Sequence, residues 1–125
     1  MDKIIKEDYV SHKIAKLLKE KGFDVPCRAY YDMGALKEDM TVPRDWNHSV
    51  YLDHISAPTL QMVMKWLREV HNIFIQVELY SKLNDYCFEV FKNTHRMIVE
   101  KDEVYNSYEQ AVEEAIKYCL INLIE

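Results

Sequence analysis

The spacing of apolar and polar residues along the chain predicts three amphipathic helices. The first lies between Ser11, whose hydroxyl can cap an N-terminus, and Gly22, which tolerates the left-handed backbone of a helix C-cap. The last covers residues 107–124 and begins with Ser107 and Gln110, which have the spacing of a capping box. Both helices therefore carry their own start signals, besides an apolar stripe.

The middle helix has a wider apolar surface than the other two. It is predicted to begin at Ser56, with Pro58 in its first turn, where a missing N–H does no harm. Its inward face is predicted to consist of Leu60, Val63, Met64, Leu67, Val70 and His71. Met62 and Trp66 extend this face to roughly 200° at about 100° per residue, whereas a surface helix needs a stripe of a little over about 100°. We therefore expect the Met62–Trp66 flank to have a second neighbour.

Strand patterns lie between the helices. Residues 27–32 are aromatic and β-favouring, and residues 48–55 alternate between two faces. Residues 73–79 also alternate and are followed by a turn and the strand-like segment 86–91, which predicts a hairpin. Residues 94–99 either extend that hairpin or follow it.

The segment at about 33–48 reads as a long irregular loop, because it contains Gly34, Pro43 and many charges. The predicted order is then α-β-β-α-β-β-α, within one domain spanning residues 1–125. Short connections favour antiparallel pairing of neighbouring strands. We predict an α+β fold in which an antiparallel sheet of about four strands packs with three amphipathic helices.

Composition fits a single globular domain: of 125 residues, 49% are hydrophobic and 30% are charged. The first residues do not resemble a signal peptide, and the apolar runs are too short for a membrane span, so a cytoplasmic location is expected. The net charge of −5 disfavours a nucleic-acid partner. The alternative hypothesis is a nucleic-acid accessory factor that uses Lys13, Lys16 and Lys19 on the first helix, although Glu20 interrupts this face.

The sequence carries no recognisable catalytic, metal or cofactor motif. Two glycines are too few for a phosphate-binding loop. The histidines lack metal-ligand spacing, and the three widely separated cysteines are typical of buried thiols in a reducing compartment. Cys27, beside Arg28, is the least implausible nucleophile. An enzyme would need Cys27, His54, His71 or His95 to meet an acid in the fold, so we predict no catalytic residue, metal or cofactor.

Aromatic residues are the most distinctive part of the inventory, with nine Tyr, four Phe and two Trp. Tyr and Trp anchor protein interfaces because they bury much area at low entropic cost. The candidate interface residues are Met62, Trp66, Tyr30, Tyr31, Trp46 and Tyr51. The leading hypothesis is a small non-enzymatic interaction protein whose partner is a second copy, as a dimer, or another protein.

Three segments also carry a resemblance: ISAPTLQMVMKWLREVHNI (55–73), SYEQAVEEAIKYCL (107–120) and SHKIAKLLKEKGF (11–23). They resemble a group of small uncharacterised proteins encoded by gut Bacteroidales and their phages or mobile elements. The likeness covers most of the chain and is weakest at residues 33–49. It implies a cytoplasmic accessory protein in a phage or mobile-element setting, and it supplies no catalytic or binding residues.

Overall fold

The computed structural model describes residues 3–81, 85–93, 96–100 and 103–125. These residues form three α-helices and six β-strands, so the predicted α+β class is confirmed. In chain order the elements are α1 (His12–Glu20), β1 (Ala29–Asp32), β2 (Ala35–Glu38), β3 (His54–Ser56), α2 (Leu60–His71), β4 (Ile73–Ser81), β5 (Asp85–Lys92), β6 (Arg96–Glu100) and α3 (Tyr108–Asn122).

The strands divide between two antiparallel sheets, whereas the sequence analysis placed about four strands in one. The first sheet has the order β2-β1-β3, and the second has the order β4-β5-β6. The predicted hairpin is present, with Ile73 opposite Lys92 and Leu79 opposite Tyr86. β6 extends it, in the segment whose role the sequence left open. Each sheet is built from neighbouring chain segments, and α2 separates the two groups along the chain.

The segment at 33–48 is not wholly irregular, because it contains β2 and a short 3₁₀ turn at Trp46–His48. Met33 and Gly34 have φ angles of 51° and 87°, and they join Asp32 to Ala35, which are paired across the hairpin. A two-residue hairpin loop with both φ angles positive is the geometry that matches the twist of antiparallel strands. Gly34 was therefore a turn signal for a hairpin and not a sign of low order.

The predicted strand at 48–55 is much shorter than expected, since only His54 and Ile55 from it belong to β3. Local turns replace the ladder upstream: the Tyr51 N–H donates to the Ser49 hydroxyl at 3.2 Å, and the His54 N–H donates to the Tyr51 carbonyl at 3.1 Å. Val50 lies in this turn region with 88% of its surface exposed. The alternating pattern here does not correspond to a sheet with one covered face.

Two predicted helix starts are confirmed and one is wrong. The Ser11 and Ser107 hydroxyls cap α1 and α3. α2 is capped by Thr59 and not by Ser56, because residues 8–10 pair with the chain up to Leu60 and keep it extended. The Val10 N–H donates to the Pro58 carbonyl at 3.0 Å in this pairing.

The core lies between α3 and its neighbours, because α3 contacts α1, α2, β4 and β5. The apolar stripe predicted for α3 is buried at Ala111, Val112, Ala115, Ile116, Cys119 and Leu120. α1 in turn contacts β3, which brings the first sheet to the same core. α2 leads directly into β4 and packs on it, so one of its faces is fixed by the second sheet.

Candidate functional site

The indole of Trp66 lies inside the protein's own core, with 5% of its surface exposed. Phe23, in the segment after α1, packs edge-on against it with ring centroids 5.2 Å apart. His71, at the end of α2, contacts the same indole with centroids 4.6 Å apart. The reason for placing Trp66 against a second body is therefore wrong, because side chains of the same molecule already cover it.

A groove nevertheless follows this flank of α2. Val70, predicted to face inward, is 62% exposed, and Met62 is half-buried. The groove has a volume of about 500 Å³, and its apolar lining comes from Val25, Met62, Trp66 and Val70. Phe23 and His71, which contact Trp66, do not line this groove. We call this feature the α2 groove.

The polar lining of the α2 groove consists of Gln61, Lys65 and Glu69. Lys65 and Glu69 lie one helical turn apart, and their charged groups are 3.7 Å from each other. Their side chains are 66% and 62% exposed, so this pair contributes only about 0.2–0.5 kcal/mol to the helix. The α2 groove thus has an apolar floor and a rim that carries one basic and one acidic residue.

Met62 also lines a second, smaller hollow of about 220 Å³. Its other lining residues are Tyr9, Pro26, Cys27, Arg28, Pro43, Ala57, Pro58 and Thr59. The Cys27 sulfur lies 3.8 Å from the Met62 sulfur, so this side of Met62 is in contact with the core. Apolar surface therefore continues past the α2 groove along one side of the molecule.

Three of the candidate interface residues meet elsewhere, around His54. Tyr30 stacks on Trp46 with ring centroids 4.1 Å apart. His54 contacts Tyr30 at 4.6 Å, Tyr51 at 4.9 Å and Trp46 at 5.6 Å between centroids. Aromatic pairs at such distances contribute about 0.5–1.5 kcal/mol beyond their buried area. We call this set the His54 cluster. Its three aromatic members were predicted from the sequence as interface residues, whereas His54 was considered only as a residue that an enzyme would need.

The His54 cluster is anchored to the fold by hydrogen bonds. The Trp46 indole N–H donates to the Cys27 carbonyl at 2.9 Å, and the Trp46 backbone N–H donates to the Ser56 hydroxyl at 3.0 Å. Trp46 is consequently 5% exposed, whereas Tyr51 is 59% exposed. Most of the cluster is therefore structural, and Tyr51 is its accessible edge.

A charged group borders the cluster. The His54 Nε2 atom lies 3.8 Å from one oxygen of Asp32, and the Lys37 ammonium donates to the other oxygen at 2.9 Å. The hydrogen bond from Lys37 is the main reason that the pKa of Asp32 lies below its ordinary value. Asp32 therefore stays ionised beside Lys37 and His54, an arrangement typical of a surface ion pair.

Tyr31 does not join the His54 cluster, because successive residues of β1 point to opposite faces of the sheet. Its hydroxyl donates to the Val10 carbonyl at 2.6 Å, and burial raises its pKa. Tyr31 is 9% exposed in the monomer. It therefore contributes to the core and not to an accessible surface.

The cysteine chemistry considered from the sequence lacks support in the structure. Burial raises the pKa of Cys27 to about 12, so the thiol is protonated near neutral pH and is a poor nucleophile. The neighbouring Arg28 donates to the Met40 carbonyl at 2.9 Å instead. Burial likewise raises the pKa of Cys119 to about 12. Neither thiol is activated.

The histidines do not converge on a metal-binding set within the described ranges, where no group of three His, Cys, Asp or Glu residues is arranged to hold an ion. His48 contacts Asp45 at 2.7 Å, and His54 borders Asp32 as described above. Burial, followed by the charge of Lys92, lowers the pKa of His71. His95 lies outside the described residues.

The lysines of α1 are solvated. Lys13 and Lys16 are exposed, Lys19 is half-buried, and the acidic Glu20 next to them is exposed as well. This arrangement matches the basic face read from the sequence, including its interruption. Contact of this face with nucleic acid stays a prediction.

Comparison with known proteins adds no relative to this picture. The chain matches no family model, and neither a curated protein nor a solved structure is significantly similar to it. Among the described residues, no helix has the length and apolar character needed to cross a membrane. The site must therefore be interpreted from its own geometry.

Proposed function

We propose that the protein is a small non-enzymatic interaction protein that self-associates through the α2 groove. The observation that supports this is the exposed apolar surface beside Trp66, where Val70 is 62% exposed at the end of a groove of about 500 Å³. Apolar patches with a polar rim are typical of contact surfaces between proteins. The sequence indicated Met62 and Trp66 for this role. Met62 is half-buried and lines the α2 groove, whereas the buried Trp66 forms part of the floor of the groove.

The energy available at this surface is modest. Fully burying a side chain of the size of Val or Met contributes roughly 1.5–3 kcal/mol. Val70 and the exposed part of Met62 therefore supply a few kcal/mol, and part of this is lost to the cost of association. We expect a self-association that depends strongly on protein concentration.

Two further observations favour an interaction protein over an enzyme. Cys27 and Cys119 are protonated near neutral pH, and in the described part of the chain no group of three His, Cys, Asp or Glu residues is arranged to hold a metal ion. The phage or mobile-element setting, with a cytoplasmic accessory role, rests on the sequence resemblance alone. A different protein as the natural partner would use the same surface.

Substitution of Val70 by Lys tests the proposal. The side chain is largely exposed, so the fold should be retained while a charge enters the contact surface. Ile121→Lys is the matched control, because Ile121 is 53% exposed on α3 and does not line the α2 groove. In analytical ultracentrifugation, Val70→Lys should shift the protein to the monomer and Ile121→Lys should not. A wild-type protein that is monomeric at every concentration would refute the proposal.

A further inference from the structure

We propose that the occupant of the α2 groove is α2 of a second copy, packed antiparallel across a twofold axis at the height of Trp66. This inference rests on the proposed function and adds the geometry of the contact. It follows from the order of apolar and charged residues along the exposed flank of α2. That order is self-complementary when the second helix runs antiparallel.

The apolar residues match across such an axis. Met62 precedes Trp66 by four positions, and Val70 follows it by four positions. In an antiparallel pair, residues equally distant from the axis lie opposite each other. Met62 of each copy therefore meets Val70 of the other, and the buried Trp66 lies beneath the contact in the floor of each groove. The exposed Val70 is covered by the half-buried Met62 of the second copy.

The charged residues also match. Lys65 lies one position before Trp66 and Glu69 lies three positions after it. At about 1.5 Å of rise per residue, Lys65 of one copy and Glu69 of the other differ in height by about 3 Å. Both side chains are long and more than half exposed, so they can reach each other. The twofold axis repeats this contact, which gives two ion pairs along the rim.

The same charges form no ion pair in a parallel dimer. In a parallel twofold arrangement the axis runs along the helices, so Lys65 and Glu69 of the two copies lie at the same heights but on opposite sides of the contact, and neither rim pair forms. A closed twofold contact also uses one surface on both copies. The charge order therefore selects the antiparallel dimer.

The size of the contact limits its strength. The twelve residues of α2 span about 18 Å at about 1.5 Å per residue. A helix pair of this length buries less than the roughly 800 Å² per partner of a standard stable interface. The second hollow beside Met62 extends the apolar surface only partly. We infer a weak dimer in rapid exchange with the monomer.

Charge reversal tests this geometry. Lys65→Glu leaves only acidic charges on the rim, and Glu69→Lys leaves only basic ones. Each variant should therefore dimerise about tenfold more weakly than wild type, because two attractive contacts become repulsive. An equimolar mixture of the two variants should recover the wild-type affinity as a heterodimer, since every contact between positions 65 and 69 across the axis again joins opposite charges. Sedimentation of the separate and mixed proteins measures this directly.

The double variant Lys65→Glu/Glu69→Lys is the control for effects within one helix, because it restores both the internal pair and the pairs across the axis. It should dimerise like wild type. Dimerisation of the mixture no better than that of either variant, with a wild-type dimer that Val70→Lys still disrupts, would overturn the antiparallel geometry and leave the proposed function standing. A wild-type protein that never dimerises would overturn both.

Discussion

The two tryptophans of the protein are equally buried, at 5% exposure each, yet their surroundings differ. Trp46 stacks on Tyr30 and its indole N–H donates to a backbone carbonyl. Trp66 is held by ring contacts with Phe23 and His71, and one side of its helix borders an open groove. Burial of an indole therefore does not show whether the surface around it is complete.

One buried side chain links these two regions. The Asn47 amide donates to the Phe23 carbonyl at 2.9 Å, and its oxygen accepts from the Ser56 N–H at 2.9 Å. Asn47 follows Trp46 in the 3₁₀ turn, and Phe23 covers Trp66. The His54 cluster and the floor of the α2 groove thus share a polar support that is itself 8% exposed.

The largest expected effect on stability comes from the packing around Trp66. Trp66→Ala should reduce the free energy of unfolding by about 3–5 kcal/mol, because it removes a large buried ring and leaves a cavity against Phe23. Urea denaturation followed by circular dichroism measures the loss. Trp66→Phe serves as the control and should lose less, since an aromatic ring remains. An unchanged denaturation midpoint for Trp66→Ala would show that the indole is not part of the core.

A smaller loss is expected at the polar support. Asn47→Ala should reduce the free energy of unfolding by about 1–3 kcal/mol, because it leaves the buried Phe23 carbonyl and Ser56 N–H without their partner. Asn47→Asp is the matched variant: it keeps the acceptor for Ser56 and loses the donor to Phe23. Urea titration compares both variants with wild type, and equal stability of Asn47→Ala and wild type would contradict the link.

The smallest effect concerns pH. Burial lowers the pKa of His71 in the folded protein, so below its ordinary pKa of about 6.5 the unfolded chain binds a proton that the folded chain resists. The stability associated with neutral His71 is complete above that pKa and is lost as the pH falls toward the folded value. Wild type should therefore lose more stability on acidification than His71→Phe, which keeps a ring against Trp66. Parallel stability–pH curves would exclude this contribution.

Local signals account for the parts of the fold that were predicted from the sequence. Ser11 and Ser107 cap their helices because a cap depends on a few neighbouring residues. The hairpin of β4 and β5 followed from alternation and a nearby turn. Thr59 replaced Ser56 as a cap because a distant segment, residues 8–10, keeps the chain extended to that point. Such pairing leaves no trace in local periodicity.

The candidate site was predicted less completely for the same reason. Angular position on a helix showed that the flank of α2 was apolar, but it did not show that Phe23 would cover Trp66 and leave Val70 exposed. The aromatic rings of the His54 cluster were recognised one by one. Their meeting depends on the turn at Met33 and Gly34 and on the short 3₁₀ segment, which together bring Trp46 onto β1.

One hydrogen bond near each end of α1 joins it to a residue in or just after α3. The Ser11 N–H donates to the Glu113 carboxylate at 3.2 Å, and the Lys21 ammonium donates to the Ile124 carbonyl at 2.8 Å. Both partners lie more than a hundred residues downstream. On the ribosome, α1 would emerge long before α3, so the apolar stripe of α1 would stay exposed to solvent until α3 is made. Stable packing of α1 should accordingly wait until α3 has been synthesised.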